Sequence, residues 1–196
     1  MPTLSQHLAS MAYNNAWASH RILKACAALS QEEFTAPRVG FFPSLKSTLN
    51  HTLTVDWYYV DALERALRGV EHDPRPWRFF EPEEPCASMT ELAPAQRAVD
   101  RRLVDLCAGL TDAALDREVP IMKRAGLQRE GVVRLLAHLF QHQVHHRGQA
   151  HAMLAGTSVA PPQLDEFFCA NEASLRADDF AELGFSEAAI WGRLPT

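Results

Sequence analysis

The sequence predicts an all-α protein, a four-helix bundle that forms a single domain over residues 1–196. Three observations predict this fold. Four long segments repeat apolar residues at the spacing of one helix face. Connections rich in proline or glycine separate these segments, and a chain of 196 residues has the size of one compact domain. We also expect a small β-hairpin between the third and fourth helices and short helices at the C-terminal end.

The first two helices are bounded by capping residues and by a breaker. The first is expected over Leu4–Leu29, with Thr3 as its N-cap, because a threonine hydroxyl can accept from an otherwise unpaired backbone N–H. The stretch Thr35–Pro43 contains proline and glycine and cannot continue a helix without cost. Ser44 then caps a second helix that runs to about Leu67.

The third helix follows a proline-rich connection and precedes a change of periodicity. The connection lies between Asp73 and Pro85, and the helix begins near Ser88 or Thr90. Between residues 117 and 129 the helical spacing of apolar residues is lost. We interpret this stretch as a small hairpin in which Gly126 supplies a positive φ.

The fourth helix is expected from about Gly131 to Leu154, with Gly156 as its C-cap. After Pro161 and Pro162 the chain is expected to form short helices or turns that lie against the bundle.

Composition excludes several classes of function. A net charge of -5 offers no positive surface for nucleic acid, and the short basic run at Lys123 and Arg124 is typical of a solvated loop. No apolar stretch approaches the roughly 20 residues that span a bilayer, and the N-terminus lacks a signal-peptide pattern. The four cysteines are widely spaced, which favours reduced thiols. We therefore expect a soluble, cytoplasmic protein. The cysteines are Cys26, Cys86, Cys107 and Cys169.

Histidines are concentrated in the fourth helix, which holds His138, His142, His145, His146 and His151. Residues four apart lie above one another on a helix, so the pair His138/His142 and the pair His142/His146 both have the spacing that lets two imidazoles bind one metal ion. His145 points about 100° away from His146 and cannot easily share that ion.

A third ligand would have to come from another helix. His51 is the only histidine of the second helix and lies between the apolar residues Leu49 and Leu53, so it can face the bundle interior. Spacing alone leaves two interpretations open for His51, a metal ligand or a satisfied core histidine.

The chain resembles the DinB family in three segments. The run His142–Leu154 contains a histidine pair followed by Arg-Gly-Gln, and Ser44–Leu53 contains an Asn-His pair after a leucine. Tyr13–Ala18 is similar to the first-helix pattern of the family. The three matches occur in order on three helices, and the bundle they imply covers nearly the whole chain.

This resemblance implies a divalent metal ion held by His51, His142 and His146. Zinc or nickel is favoured, and iron, cobalt, copper or manganese is also compatible with imidazole ligands. His138 is interpreted as a structural or rim residue, and His145 as a surface residue or a hydrogen-bonding neighbour of the ligands. The signature residues Arg147, Gly148 and Gln149 are expected to serve packing, hydrogen bonding to the ligands or pocket formation, with a structural role preferred.

The resemblance also directs the functional prediction. Three neutral imidazoles leave the ion its full charge and one coordination position, which can activate water or a thiolate. Relatives in the wider superfamily resemble transferases and isomerases that use low-molecular-weight bacterial thiols. We therefore predict a bacterial, metal-dependent enzyme that acts on a small molecule, as a thiol S-transferase, an isomerase or a hydrolase.

Several alternatives remain at this point. A non-catalytic metal-binding stress-response or scaffold protein is the second hypothesis. DNA binding is suggested only by the damage-inducible association of the family, and the acidic charge balance argues against it. No general base is identified; four residues could contribute to a pocket, although packing or a surface position is the preferred interpretation of each. A homodimer is also compatible with the bundle. The four pocket candidates are Tyr13, Asn14, Trp17 and Asp56.

Overall fold

The computed structural model describes residues 3–192 and confirms an all-α four-helix bundle with a small hairpin. The helices are α1 (Leu4–Ala27), α2 (Gln31–Thr35), α3 (Leu45–Arg68), α4 (Met89–Ala108), α5 (Val132–Leu154), α6 (Ala177–Leu183) and α7 (Glu187–Trp191). The strands are β1 (Glu118–Lys123) and β2 (Gly126–Gly131), and 3-10 turns cover Pro76–Phe80, Asp112–Ala114 and Ala170–Arg176.

The predicted caps set the helix boundaries. The Thr3 hydroxyl accepts from the Gln6 backbone N–H while the Gln6 side chain accepts from the Thr3 N–H, which satisfies two unpaired donors at the start of α1. Ser44 accepts in the same way from the Ser47 N–H and begins α3. At the other end of α3, Gly69 adopts a left-handed conformation with φ of 69° and ends the helix.

The four long helices bury their apolar faces against one another. Both α1 and α3 contact α4 and α5, so the four enclose one continuous core. Burying such side chains contributes roughly 1.5–3 kcal/mol for each large aliphatic residue. The largest completely buried aliphatic residues of this core are Ile22, Leu23, Leu45, Leu53, Leu63, Leu92, Leu103 and Leu136.

The hairpin packs on α3 next to the end of the bundle. Strands β1 and β2 pair antiparallel with Lys123 opposite Gly126, and Gly126 has φ of 104° as the turn requires. The side chains of Val119 and Ile121, both in β1, are buried. The Tyr58 hydroxyl of α3 donates to a β1 carbonyl, so a polar contact also fixes the hairpin to the helix.

Two details differ from the sequence prediction. The C-cap of α5 is Ala155 in a right-handed conformation, so the prediction that Gly156 caps this helix was wrong. The short helix α2 was not predicted, although Ser30 and Glu33 form a capping box at its start, a pattern that the sequence contains.

The C-terminal segment lies against α1, as predicted. Phe167 and Phe180 pack on Trp17, and the Asp179 carboxylate accepts from the Trp17 indole at 3.1 Å and from Arg21 at 2.6 Å. All four cysteines are free thiols, and only Cys169 is exposed. Within residues 3–192, no helix combines the length and the hydropathy needed to cross a bilayer.

Candidate metal centre

Helices α3 and α5 bring three histidines together inside the bundle. His51 projects from α3, and His142 and His146 lie one turn apart on α5. One nitrogen atom from each ring lies within 4.8 Å of the other two. The Nε2 atoms of His51 and His142 are 3.1 Å apart. These are the three histidines that the resemblance to the DinB family implies as ligands, and their binding of an ion stays a prediction.

The donor set fits a divalent transition metal. Two imidazole nitrogens bound to zinc at 2.0–2.1 Å with tetrahedral angles lie about 3.3–3.4 Å apart, close to the His51–His142 separation. All three ligand atoms are imidazole nitrogens, which suit zinc, nickel, copper and iron. The two Nε2 atoms are also close enough for a histidine–histidine hydrogen bond.

Burial keeps these imidazoles uncharged. Desolvation, followed by the nearby His146, lowers the pKa of His51 to about 4. Desolvation and the neighbouring histidines lower the pKa of His142 to about 3, and burial also lowers the pKa of His146. A neutral imidazole is the form that binds a metal, so the three rings need no proton removed near neutral pH.

Gln149 orients one member of the cluster. The His146 Nδ1–H donates to Gln149 Oε1 at 2.8 Å, which leaves Nε2 as the free lone pair of that ring. The Gln149 amide group in turn donates to His145 Nε2 at 3.1 Å. His145 is exposed and lies outside the cluster, in agreement with the prediction of a surface residue that interacts indirectly.

The second signature residue, Arg147, has a structural role. Its guanidinium is buried in the bundle and donates to Asn15 Oδ1 at 2.8 Å and to Ser19 Oγ at 3.4 Å, both on α1. Burial lowers the pKa of Arg147 to about 10, an effect that the carboxyls of Asp100 and Asp56 oppose. Arg147 therefore links α5 to α1 beneath the histidine cluster.

Two buried acids complete this polar layer. Gln96 donates to Asp56 at 2.7 Å and to Asp100 at 3.1 Å. Burial raises the pKa of Asp56 to about 7, and burial together with Asp56 raises the pKa of Asp100 well above its usual value. The Asp56 Oδ1 atom and the Gln143 amide have no hydrogen-bond partner in the part of the chain that is described.

An aromatic loop closes one side of the cluster. Phe42, between α2 and α3, lies 4.5 Å from the ring of His51 and 5.5 Å from the ring of His146, measured between centroids. The adjacent Phe41 is 77% exposed, so it extends beyond the cluster into solvent. In the sequence this stretch is only a helix-breaking connection, and no pattern in it predicts the contact with the histidines.

A pocket of about 200 Å³ opens on the other side, between α3, α5 and the hairpin. His142 forms part of its wall and joins it to the cluster. His138 also lines it and packs against Tyr59 at 5.2 Å, outside the three-histidine cluster, as its interpretation as a rim residue requires. The remaining lining residues are Val55, Tyr58, Tyr59, Trp77, Phe80, Met122 and Lys123.

The four other pocket candidates lie elsewhere. Trp17 and Tyr13 pack against the C-terminal segment, and Asp56 is bonded to Gln96 in the polar layer. The side-chain oxygen Oδ1 of Asn14 is buried and has no hydrogen-bond partner among residues 3–192. None of the four lines the pocket beside His142.

The fold and the cluster together define a helical-bundle protein with a candidate three-histidine metal centre. The family model described as DinB family matches residues 3–178, and the chain belongs to this family. A search of curated proteins finds no match.

Proposed function

We propose that this protein is a divalent-metal-dependent enzyme that acts on a small molecule, with His51, His142 and His146 as the ligands. The observation that carries the proposal is the convergence of three imidazole nitrogens from two helices within 4.8 Å. A low-molecular-weight thiol is the proposed co-substrate, and the reaction class is thiol S-transfer, isomerisation or hydrolysis.

The number of ligands favours catalysis over a purely structural site. Structural zinc sites usually have four protein ligands, whereas catalytic sites have three and bind water or substrate in the fourth position. Within residues 3–192 the cluster holds three histidines, with no cysteine or carboxylate beside them. A divalent ion held this way supplies Lewis acidity that lowers the pKa of a bound water or thiol.

The protein's own residues would hold and orient the reactants. The Gln149 side chain orients the ring of His146, and the ring of Phe42 packs against one side of the cluster. The pocket beside His142 gives a small molecule access from the other side. Its walls are mainly aromatic, which suits an organic substrate.

Metal analysis tests the ligand assignment. Protein purified without a histidine tag should contain about one ion per chain, and this content should be lost in His51→Ala, His142→Ala and His146→Ala. His145→Ala is the matched control, because this histidine is adjacent in the chain but exposed. Unchanged metal content in His146→Ala, confirmed as folded by circular dichroism, would refute the assignment.

A second measurement separates an enzyme from a protein that merely binds metal, such as a stress-response or scaffold protein. The alternative has some support, since an ion between His51 and His142 would tie α3 to α5. Cobalt-substituted protein should develop a sulfur-to-cobalt charge-transfer band when a bacterial thiol is added, and should transfer that thiol to a chromogenic electrophile. A cobalt spectrum that no thiol or other small ligand changes would favour the alternative.

A further inference from the structure

Lys123 is half-buried, whereas the neighbouring basic residues Arg124 and Arg129 are exposed. It ends β1 and is half-buried in the wall of the pocket beside His142. Its ammonium group donates to the Tyr59 hydroxyl and lies 4.8 Å from the centre of the Tyr59 ring. Arg124 is exposed in the turn, as expected for a basic run in a solvated loop, whereas Lys123 departs from that expectation because it lies in β1 and is half-buried.

The charge of Lys123 is not neutralised by the protein. Among residues 3–192 it forms no ion pair. The acids of the neighbouring groove are already engaged, because Asp61 pairs with Arg65 at 2.7 Å and Asp73 pairs with Arg78 at 2.6 Å. The pocket therefore presents a positive charge and a phenol group beside the histidine cluster.

The hairpin holds this lysine in position. Tyr58 donates to the carbonyl of Met122, the residue before Lys123, and so anchors the end of β1 to α3. The turn continues directly into Gly126, whose positive φ reverses the chain. A charge that is fixed by backbone anchoring loses less conformational freedom on binding than one on a free loop.

We propose that Lys123, with the Tyr59 hydroxyl, forms a subsite for the carboxylate of a small aromatic acid. The inference rests on the proposed function, because it specifies the class of substrate that the pocket delivers to the metal centre. Tyr58, Trp77 and Phe80 supply apolar and aromatic walls for a ring. A pocket of about 200 Å³ is large enough for one ring with a carboxylate, since a cavity of roughly 150 Å³ accommodates benzene.

A carboxylate fits this subsite better than a phosphate. One ammonium and one hydroxyl match the single charge and two oxygens of a carboxylate. Phosphate sites usually combine several cations or a series of backbone N–H groups, and this pocket offers a single lysine.

Binding of benzoate and of its uncharged isostere benzamide tests the subsite. The full-length protein is titrated with each compound, and the amide resonances of Met122, Lys123 and His138 are followed by NMR. We expect benzoate to bind about tenfold or more tightly than benzamide, in line with a hydrogen bond to a charged group. Equal affinities, or no binding of either compound, would overturn the proposal.

Three variants assign that preference to Lys123. Lys123→Met should bind benzoate and benzamide equally, whereas Lys123→Arg should keep most of the preference. Arg124→Met removes the same charge from the exposed neighbouring residue and should behave as the wild type. A benzoate preference that persists in Lys123→Met would refute the subsite.

The titrations are performed with zinc-loaded protein and after chelation, which separates this proposal from the metal proposal. A preference that survives chelation belongs to the lysine, even if metal analysis refutes the ligand assignment. A preference that requires zinc and is unchanged in Lys123→Met would show that the ion binds the carboxylate, and the subsite would be rejected. If chelation unfolds the chain, the zinc-loaded Met and Arg variants still decide between these outcomes.

Discussion

Replacement of Gln149 should weaken metal binding although this residue is not itself a proposed ligand. The His146 Nδ1–H donates to Gln149 Oε1 at 2.8 Å, and Gln149→Leu removes the acceptor while keeping a side chain of similar size. Loss of a partner that orients a metal-binding histidine typically costs 10–100-fold in affinity. That range corresponds to about 1.4–2.7 kcal/mol of binding free energy.

Two further variants make this prediction specific. Gln149→Glu replaces a neutral acceptor with a charged one, so zinc binding should be at least as strong as in the wild type. His145→Ala removes the other partner of Gln149 and leaves its bond to His146 intact, so zinc affinity should change little.

The assay is competition for zinc between the protein and a chromogenic chelator at fixed pH and ionic strength. Urea unfolding of the metal-free variants checks that the bundle is equally stable in each. A Gln149→Leu protein that competes for zinc as well as the wild type would show that this hydrogen bond does not support the metal centre.

Three other predictions concern the bundle around the site. Arg147→Met leaves the buried Asn15 Oδ1 atom without its donor and should lower the free energy of unfolding by about 1–3 kcal/mol in urea denaturation; an unchanged free energy of unfolding would contradict the structural role of Arg147. Asp56 has a pKa raised to about 7, so the wild type is stabilised by the bound proton below pH 4 and loses this stabilisation as the pH rises through 7. In urea denaturation the free energy of unfolding of Asp56→Asn should therefore rise relative to that of the wild type from pH 5 to pH 8. A difference between the two proteins that does not change with pH would exclude the raised pKa of Asp56. Gly148 is exposed on α5 and an added Cβ would meet nothing within 4 Å, so Gly148→Ala should raise the free energy of unfolding by about 0.5–1 kcal/mol in thermal or urea melts; a destabilised variant would indicate that something else packs against this face.

The helices were predictable from the sequence because local signals define them. Thr3 and Ser44 act as caps through bonds to residues three positions away, and Gly126 reverses the hairpin through its own backbone conformation. The end of α5 was predicted less well. Gly156 lies next to the true cap, and a glycine near a helix end does not require that the chain adopt the left-handed conformation there.

The histidine cluster was predictable only in part. The four-residue spacing of His142 and His146 places both on one face of α5. No periodicity could show that His51 of α3 faces the same point, so that residue depended on the resemblance to the DinB family. The hydrogen bond from His146 to Gln149 had a local signal, since residues three apart are neighbours on a helix.

Residues that reach the site from loops and from the hairpin could not be predicted. Phe42 packs on His51 because the loop before α3 lies on one side of this helix. Lys123 lines the pocket beside His142 because β1 packs on the other side of α3. These placements depend on how separate segments pack. From the residues around it, Lys123 is predicted only to lie in a polar turn, and Phe42 only to lie in a connection that ends a helix.

The separation of the histidines along the chain has a consequence for folding. His51 and His142 are 91 residues apart, and the segment between them contains α4 and both strands of the hairpin. The two rings meet only when this whole segment is folded, so an ion that joined them would bind the folded chain in preference to the unfolded one and stabilise it by mass action. The free energy of unfolding of the entire bundle, including the hairpin that carries Lys123, would then rise with the concentration of metal.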